Sequence, residues 1–282
     1  MIKLIDCPRD AMQGIRDFIP TATKTEYIQQ LLRCGFDTLD FGSFVSPKAI
    51  PQMADTAEVL AGLDLSDTDT RLLAIVANRR GAEAALSHPE IDYLGYPFSI
   101  SETFQLRNTN ATLAESVERV AAIQEMTQAG GKEMVIYISM GFGNPYGDPW
   151  NVDVVERWVN ELHESLGIRI FQLSDTIGVS TPENINYLFS NLIPKYPELE
   201  IGAHLHTTPS TWEEKIAAAS LSGCRRFDGA LGGYGGCPMA RDELTGNMPT
   251  ENLVGYFGAE SLGIDREAFG KARKMMTDVF PH

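Results

Sequence analysis

Apolar positions along this chain fall into two alternating rhythms. Short runs rich in Ile, Leu, Val, Phe and Tyr recur at 2–6 (IKLID), 37–41 (DTLDF), 71–77 (RLLAIVA), 91–96 (IDYLGY), 134–140 (MVIYISM), 168–173 (IRIFQL), 201–206 (IGAHLH) and 225–231 (RRFDGAL). Runs this short, dense in β-branched and aromatic residues, read as strands. Longer stretches with helical spacing separate them. The segment 23–34 sets Tyr27, Leu31 and Leu32 on one face and stops at Gly35. The segment 110–131 is expected to open on Asn110 as its cap and to close on two glycines. Helices are expected over 151–167 and over 181–196, the second with Thr181 as cap and Pro182 in its first turn. Further helices are expected over 210–223, 250–263 and 265–280.

Eight strands, each followed by a connection, predict a parallel sheet closed into an α/β (β/α)8 TIM barrel with an extra C-terminal helix. No linker, low-complexity tract or composition shift divides residues 1–282, so one catalytic domain is expected. The rival architecture, an open doubly wound sheet, usually carries a G-x-G-x-x-G turn after its first strand. The turn here reads IDCPRDAMQG.

Composition narrows the partners. Asp and Glu outnumber Lys and Arg by 38 to 23, a formal net charge of −15. So acidic a chain disfavours nucleic acid and anionic membrane surfaces. No apolar run approaches the length of a membrane span, and the N-terminus does not read as a signal peptide. The four cysteines form no C-x-x-C pair, which excludes a zinc ribbon or thioredoxin motif and fits a reduced, cytoplasmic chain.

In a barrel of this kind the chemistry lies at the C-terminal ends of the strands. The first strand is followed there by Arg9 and Asp10, the second carries Asp40, and the sixth is followed by Asp175. The seventh holds His204 and His206, two of only five histidines, and a Gly-rich passage with Cys237 and Asn247 follows the eighth. Alternation along a strand would turn His204 and His206 to one face. With the Asp10 carboxylate and the Asn247 amide oxygen they form a mixed nitrogen and oxygen donor set. Such a set suits a divalent cation, and its hard oxygens lean toward Mg2+ or Mn2+. Arg9 and Asp10 are adjacent, so both reach one site only if the chain turns after Pro8.

The segments PRDAMQ, SFVSPKAIPQMAD, SETFQLRNTN, SDTIGVSTPENI, HLH and GGCPMARDELTGN occur in the order seen in the 3-hydroxy-3-methylglutaryl-CoA lyase family, which the chain resembles from about residue 2 to about residue 262. The resemblance implies cleavage of 3-hydroxy-3-methylglutaryl-CoA to acetyl-CoA and acetoacetate on a TIM barrel. It implies that Asp10, His204, His206 and Asn247 hold the cation, that Arg9 faces the thioester carbonyl and that Cys237 transfers a proton. It further implies that Asp40 stands where the family has a Glu that organises the site, and that Asp175 supports the metal shell. Either Asp10 or a histidine of the shell would take the substrate hydroxyl proton. Gln13, Ser43, Lys48, Arg107 and Asn108 are the candidates for binding the acyl-CoA substrate, Lys48 and Arg107 as its basic landing site. A homodimer is the family expectation.

The chain departs from the family pattern at Ala11 and Met12, at Asp40, and at Thr207, where an Asp is expected. The alternative activity is a related lyase or a Claisen-type synthase acting on another acyl-CoA or a 2-oxo acid. The Cys237 loop, and a length of 282 residues without the C-terminal extension such synthases carry, favour the lyase.

Overall fold

A computed structural model describes residues 1–236 and 246–280. Eight parallel strands close into a barrel in chain order: Lys3–Asp6, Thr38–Ser43, Arg71–Ile75, Tyr93–Ser99, Glu133–Ser139, Ile170–Ser174, Glu200–His204 and Arg226–Gly229. Closure is made by the eighth strand against the first, with Lys3 opposite Arg226 and Ile5 opposite Asp228. Each strand coincides with one of the eight apolar runs, because strands covered on both faces need continuous apolar sequence.

Alternation divides the strand residues between two interiors. One set packs outward beneath the helices. The other fills the lumen, where Leu73, Ile75, Tyr93, Val135, Tyr137 and Ile170 form their own apolar cluster. Polar lumen residues lie on either side of it, and those toward the C-terminal ends build the site described below.

The helices follow from their local chemistry. Asn151 caps Val152–Leu166 by accepting from the Val154 amide. Thr181 and Asn184 form a capping box that opens Pro182–Lys195. The C-terminal helix Arg266–Val279 packs on Thr21–Leu32 through Gln30 Nε2, which donates to the Ala268 carbonyl at 2.9 Å, and through the edge contact of Tyr27 with Phe280. That is the expected extra helix.

Two sequence expectations are corrected. Asn110 does not cap the helix that follows it. It ends the preceding helix, Glu102–Thr109, in the left-handed conformation at φ 50°, which Asn tolerates. The next helix opens at Leu113, where Thr112 and Glu115 make a reciprocal capping box. The single helix expected over 250–263 is broken at Gly258, φ 85°, into Thr250–Phe257 and Ala259–Leu262.

Asp6 shows how the barrel is clamped. It is fully buried, its Oδ1 accepts from the Thr250 hydroxyl at the start of Thr250–Phe257, and its Oδ2 has no partner among the described residues. Burial, only partly offset by that hydrogen bond, pushes its pKa up to about 7. The folded state therefore prefers the neutral acid. This group's contribution is fully present below about pH 4, is lost as pH rises through about 7, and is then constant. Asp6→Asn, which cannot ionise, is expected to raise stability by about 2 kcal/mol at pH 8 and by much less at pH 5. Urea unfolding at the two pH values checks it; an equal effect at both would contradict the account.

Candidate metal centre and substrate cavity

The first strand is followed at once by a short helix, Pro8–Gln13. Proline fits the first helical position because its fixed φ is already helical and its missing N–H would find no partner there. The consequence is geometric. Successive residues on a helix point about 100° apart rather than to opposite faces, so Arg9 and Asp10 can serve one site. Gln13, one turn on, joins them: its Oε1 accepts from Arg9 Nη1 at 2.9 Å and its Nε2 donates to Asp10 Oδ1 at 2.7 Å. The turn expected after Pro8 is thus helical, and Ala11 and Met12 are buried in the core beneath it.

Asp40 projects from the second strand onto the same Arg9. Arg9 Nε lies 3.1 Å from both Asp40 oxygens, Nη2 also donates to Oδ2, and Nη1 donates to Asp10 Oδ1 at 2.9 Å. Burial opposes the charge on Arg9, but Asp40 and Asp10 outweigh it and keep the guanidinium ionised. Burial lifts Asp40 to about 6, with Arg9 limiting the rise. Asp10 is held down at about 2: burial would raise it, but Arg9, His204 and the Asn247 hydrogen bond prevail.

The two histidines reach this cluster by a route that simple alternation does not describe. The seventh strand ends at His204. After Leu205 the chain resumes as a two-residue strand, His206–Thr207, which pairs antiparallel with Gly246–Asn247. That register sets Asn247 opposite His206 and brings it from the far side of the Gly-rich passage. The imidazole rings stand 5.6 Å apart. Ligand atoms of Asp10, His204 and His206 all lie within 4.8 Å of one another.

Asn247 Nδ2 donates to Asp10 Oδ2 at 2.6 Å and to the Tyr234 carbonyl at 2.9 Å. With the amide hydrogens engaged, Oδ1 is the atom left to meet a cation. Gly235, φ 89°, lies so close to Asp10 that a Cβ there would come within 2.6 Å of its carbonyl oxygen and 2.8 Å of Asn247 Nδ2. Glycine is required at that point.

The donor chemistry fits a divalent cation. His204 Nδ1 is 3.0 Å from Asp228 Oδ2; burial would lower the ring's pKa, but Asp228 and Asp10 prevail and raise it, and with the proton held on Nδ1 it is Nε2 that would meet a cation. Burial and the neighbouring His204 push His206 down to about 4, so its ring is neutral at neutral pH, as a ligand must be. A second grouping, Cys7 with His204 and Asp228, is also compact. It fits less well: both Asp228 oxygens are engaged, and burial holds the Cys7 thiol protonated, far above its ordinary range.

A cavity of about 440 Å³ opens beside the centre. Arg9, Asp10, Gln13, Asn108, His204 and His206 line it on the polar side, and Val45, Ile50, Ile75, Ala77, Pro97 and Phe104 on the apolar side. Lys48 and Arg107 are exposed on the neighbouring segments and do not line it; Arg107 lies over the Tyr146 ring. Ser43 is buried and donates to the Ile75 carbonyl. Asp175 is turned away from the cavity, bonded to Ser180 and to Lys215, and Lys215 Nζ in turn donates to the His206 carbonyl at 2.8 Å. Cys237 lies outside the described residues.

Sequence reasoning missed Asp228, Gln172 and Lys215. The first two could have been found, because a carboxylate and an amide at inward positions of barrel strands demand a partner in the lumen. Lys215 sits in an ordinary-looking amphipathic helix and gave no signal.

Fold and site together define a (β/α)8 barrel whose mouth carries a buried Arg–Asp pair beside side chains able to hold a divalent cation. The chain belongs to the HMGL-like family, whose pattern matches residues 2–268. It is 34% identical to the hydroxymethylglutaryl-CoA lyase YngG of Bacillus subtilis over 88% of this chain and 81% of that one. It is 33% identical to the 3-hydroxy-3-isohexenylglutaryl-CoA/hydroxy-methylglutaryl-CoA lyase of Pseudomonas aeruginosa, over 99% and 92%. Among solved structures, an HMG-CoA lyase from Acinetobacter baumannii in complex with coenzyme A and 3-methylmalate superposes with a TM-score of 0.89 at 32% identity, covering 99% of this chain and 91% of that one.

Proposed function

We propose that this chain is a divalent-metal-dependent carbon–carbon lyase that cleaves 3-hydroxy-3-methylglutaryl-CoA to acetyl-CoA and acetoacetate. The observation that carries the reading is the convergence of Asp10, His204, His206 and Asn247 beside Arg9 at the open mouth of the barrel. Membership of the HMGL-like family and the substrates named for its relatives support it.

Asp10, His204 Nε2, His206 and Asn247 Oδ1 would hold the cation, with Mg2+ or Mn2+ favoured by the oxygen donors. Bound there, a divalent ion supplies Lewis acidity that lowers the pKa of a substrate hydroxyl and orients its carboxylate. Arg9 offers fixed positive charge, oriented by Asp40, where the thioester oxygen becomes an enolate oxygen. Asp10 or a histidine of the shell, which lie together beside the cavity, would take the substrate hydroxyl proton as the carbon–carbon bond breaks. Cys237 would deliver the proton that converts the enolate carbon into the methyl of acetyl-CoA. Gln13 and Asn108, which line the cavity, would contact the acyl group, and Lys48 and Arg107, exposed outside it, would meet the CoA phosphates. The three described cysteines are buried and unpaired, in keeping with a reducing, cytoplasmic setting. No helix among the described residues is long and apolar enough to cross a membrane. A homodimer completes the proposal.

The rival activities separate by substrate. The enzyme is expected to release acetoacetate from 3-hydroxy-3-methylglutaryl-CoA, and to release no free CoA from acetyl-CoA mixed with a 2-oxo acid. Condensation without cleavage would reassign it as a synthase. Faster cleavage of an acyl-CoA with a longer 3-substituent would keep the chemistry and change the physiological substrate.

A further inference from the structure

We propose that Gln172 is a positioning residue for the cation centre, acting through Asp228 and His204, and that Gly202 is the gap that lets it act. The inference rests on the metal site proposed above.

Gln172 is on the sixth strand and Asp228 on the eighth, with the seventh between them. Register sets Gln172 beside Gly202, and His204 beside Asp228. A side chain crossing from the sixth strand to the eighth must therefore pass over the seventh at Gly202. It does so: Gln172 Nε2 donates to Asp228 Oδ1, while His204 Nδ1 engages Oδ2 of the same carboxylate. A Cβ at Gly202 would run into the Gln172 amide oxygen and come within 3.0 Å of Arg226 Cβ. Gly202 is at a strand interior with no positive φ to explain it, so the crossing side chain is what requires glycine there.

The chemistry fixes the direction of the amide. Only its NH2 end can face a carboxylate, so Nε2 lies toward Asp228 and Oε1 over Gly202. Gln172 is fully buried, and its Oε1 has no partner among the described residues. A buried amide with one end unsatisfied costs stability, and an apolar residue would fill the lumen without that cost. Among the described residues its one side-chain bond is to Asp228. Held at both oxygens, Asp228 cannot rotate, His204 keeps its proton on Nδ1, and Nε2 stays turned toward Asp10 and His206. Outer partners of this kind set the orientation of a ligating imidazole.

The test compares wild type, Gln172→Ala, Gly202→Ala and the double variant, by Mn2+ titration and by the His204 Nδ1–H resonance of the metal-free, histidine-labelled protein. Gln172→Ala is expected to weaken Mn2+ about tenfold. Gly202→Ala is expected to weaken it at least as much while Gln172 is present, and to add nothing once Gln172 is Ala. The His204 resonance should broaden or vanish in both single variants. Unchanged affinity with an unchanged resonance in Gln172→Ala would overturn the proposal. So would an equal cost of Gly202→Ala in both backgrounds. If Gly202→Ala does not fold, Gln172→Ala decides alone. If wild type binds no Mn2+, the cation reading fails, and the resonance, measured without metal, still decides whether Gln172 positions His204.

Discussion

Asp10→Asn is expected to lower turnover of 3-hydroxy-3-methylglutaryl-CoA about a thousandfold, equivalent to about 4 kcal/mol of barrier, and to abolish measurable cation binding. The substitution keeps the shape and removes the charge, which is the property the centre depends on. Asp10 Oδ1 accepts from Arg9 and Gln13, and Oδ2 accepts from Asn247. An Asn here keeps one acceptor and turns an NH2 group toward a donor. Because the folded pKa of Asp10 is depressed to about 2, the wild-type carboxylate contributes about 2 kcal/mol of stability above about pH 4, which is lost as pH falls toward 2. The variant should therefore be less stable than wild type at pH 7 and approach it at pH 2 to 3. Steady-state kinetics with Mn2+ titration checks the first effect, and denaturant melts check the second. Near-normal turnover would remove Asp10 from the centre.

The second large effect is expected away from the reacting atoms. Lys215 and Asp175 are buried together, with Nζ 3.0 Å from Asp175 Oδ2 and 2.8 Å from the His206 carbonyl. Lys215→Met leaves a buried carboxylate without its counter-ion and frees the His206 backbone, so a loss of about 3–5 kcal/mol is expected. Adding Asp175→Asn removes the stranded charge and should recover a substantial part of the stability, since it is the unpaired ion that costs most. Mn2+ affinity should stay impaired in both variants, because neither restores the bond to His206. Equilibrium unfolding of the single and double variants checks this. A Lys215→Met protein as stable as wild type would mean that the pair is not what fixes the backbone at His206.

How much of this was legible in the sequence depends on how local the signal is. The eight strands were legible because each is covered on both faces and so carries a short, dense apolar run. The helix starts at Asn151 and Thr181 were legible because a cap bonds an amide three residues away. Asn110 misled because the same residue type that starts helices also ends them in the left-handed region. The cluster of Arg9, Asp10, His204, His206 and Asn247 was legible once strand ends were known, since barrel closure brings those ends together. What the sequence did not carry was the means. His206 and Asn247 meet through a two-residue ribbon, and the Asp228–Gln172–Gly202 arrangement spans three strands. Such contacts depend on register, which local pattern does not encode.

The central claim, a cation-dependent carbon–carbon cleavage at the mouth of this barrel, is tested most directly by one assay. Protein stripped of metal with chelator and freed of it is given 3-hydroxy-3-methylglutaryl-CoA, and acetoacetate is followed before and after Mg2+ or Mn2+ is added. The account predicts no product before addition and steady turnover after it. Equal product in both arms, or none from wild type that has demonstrably bound the cation, would contradict it.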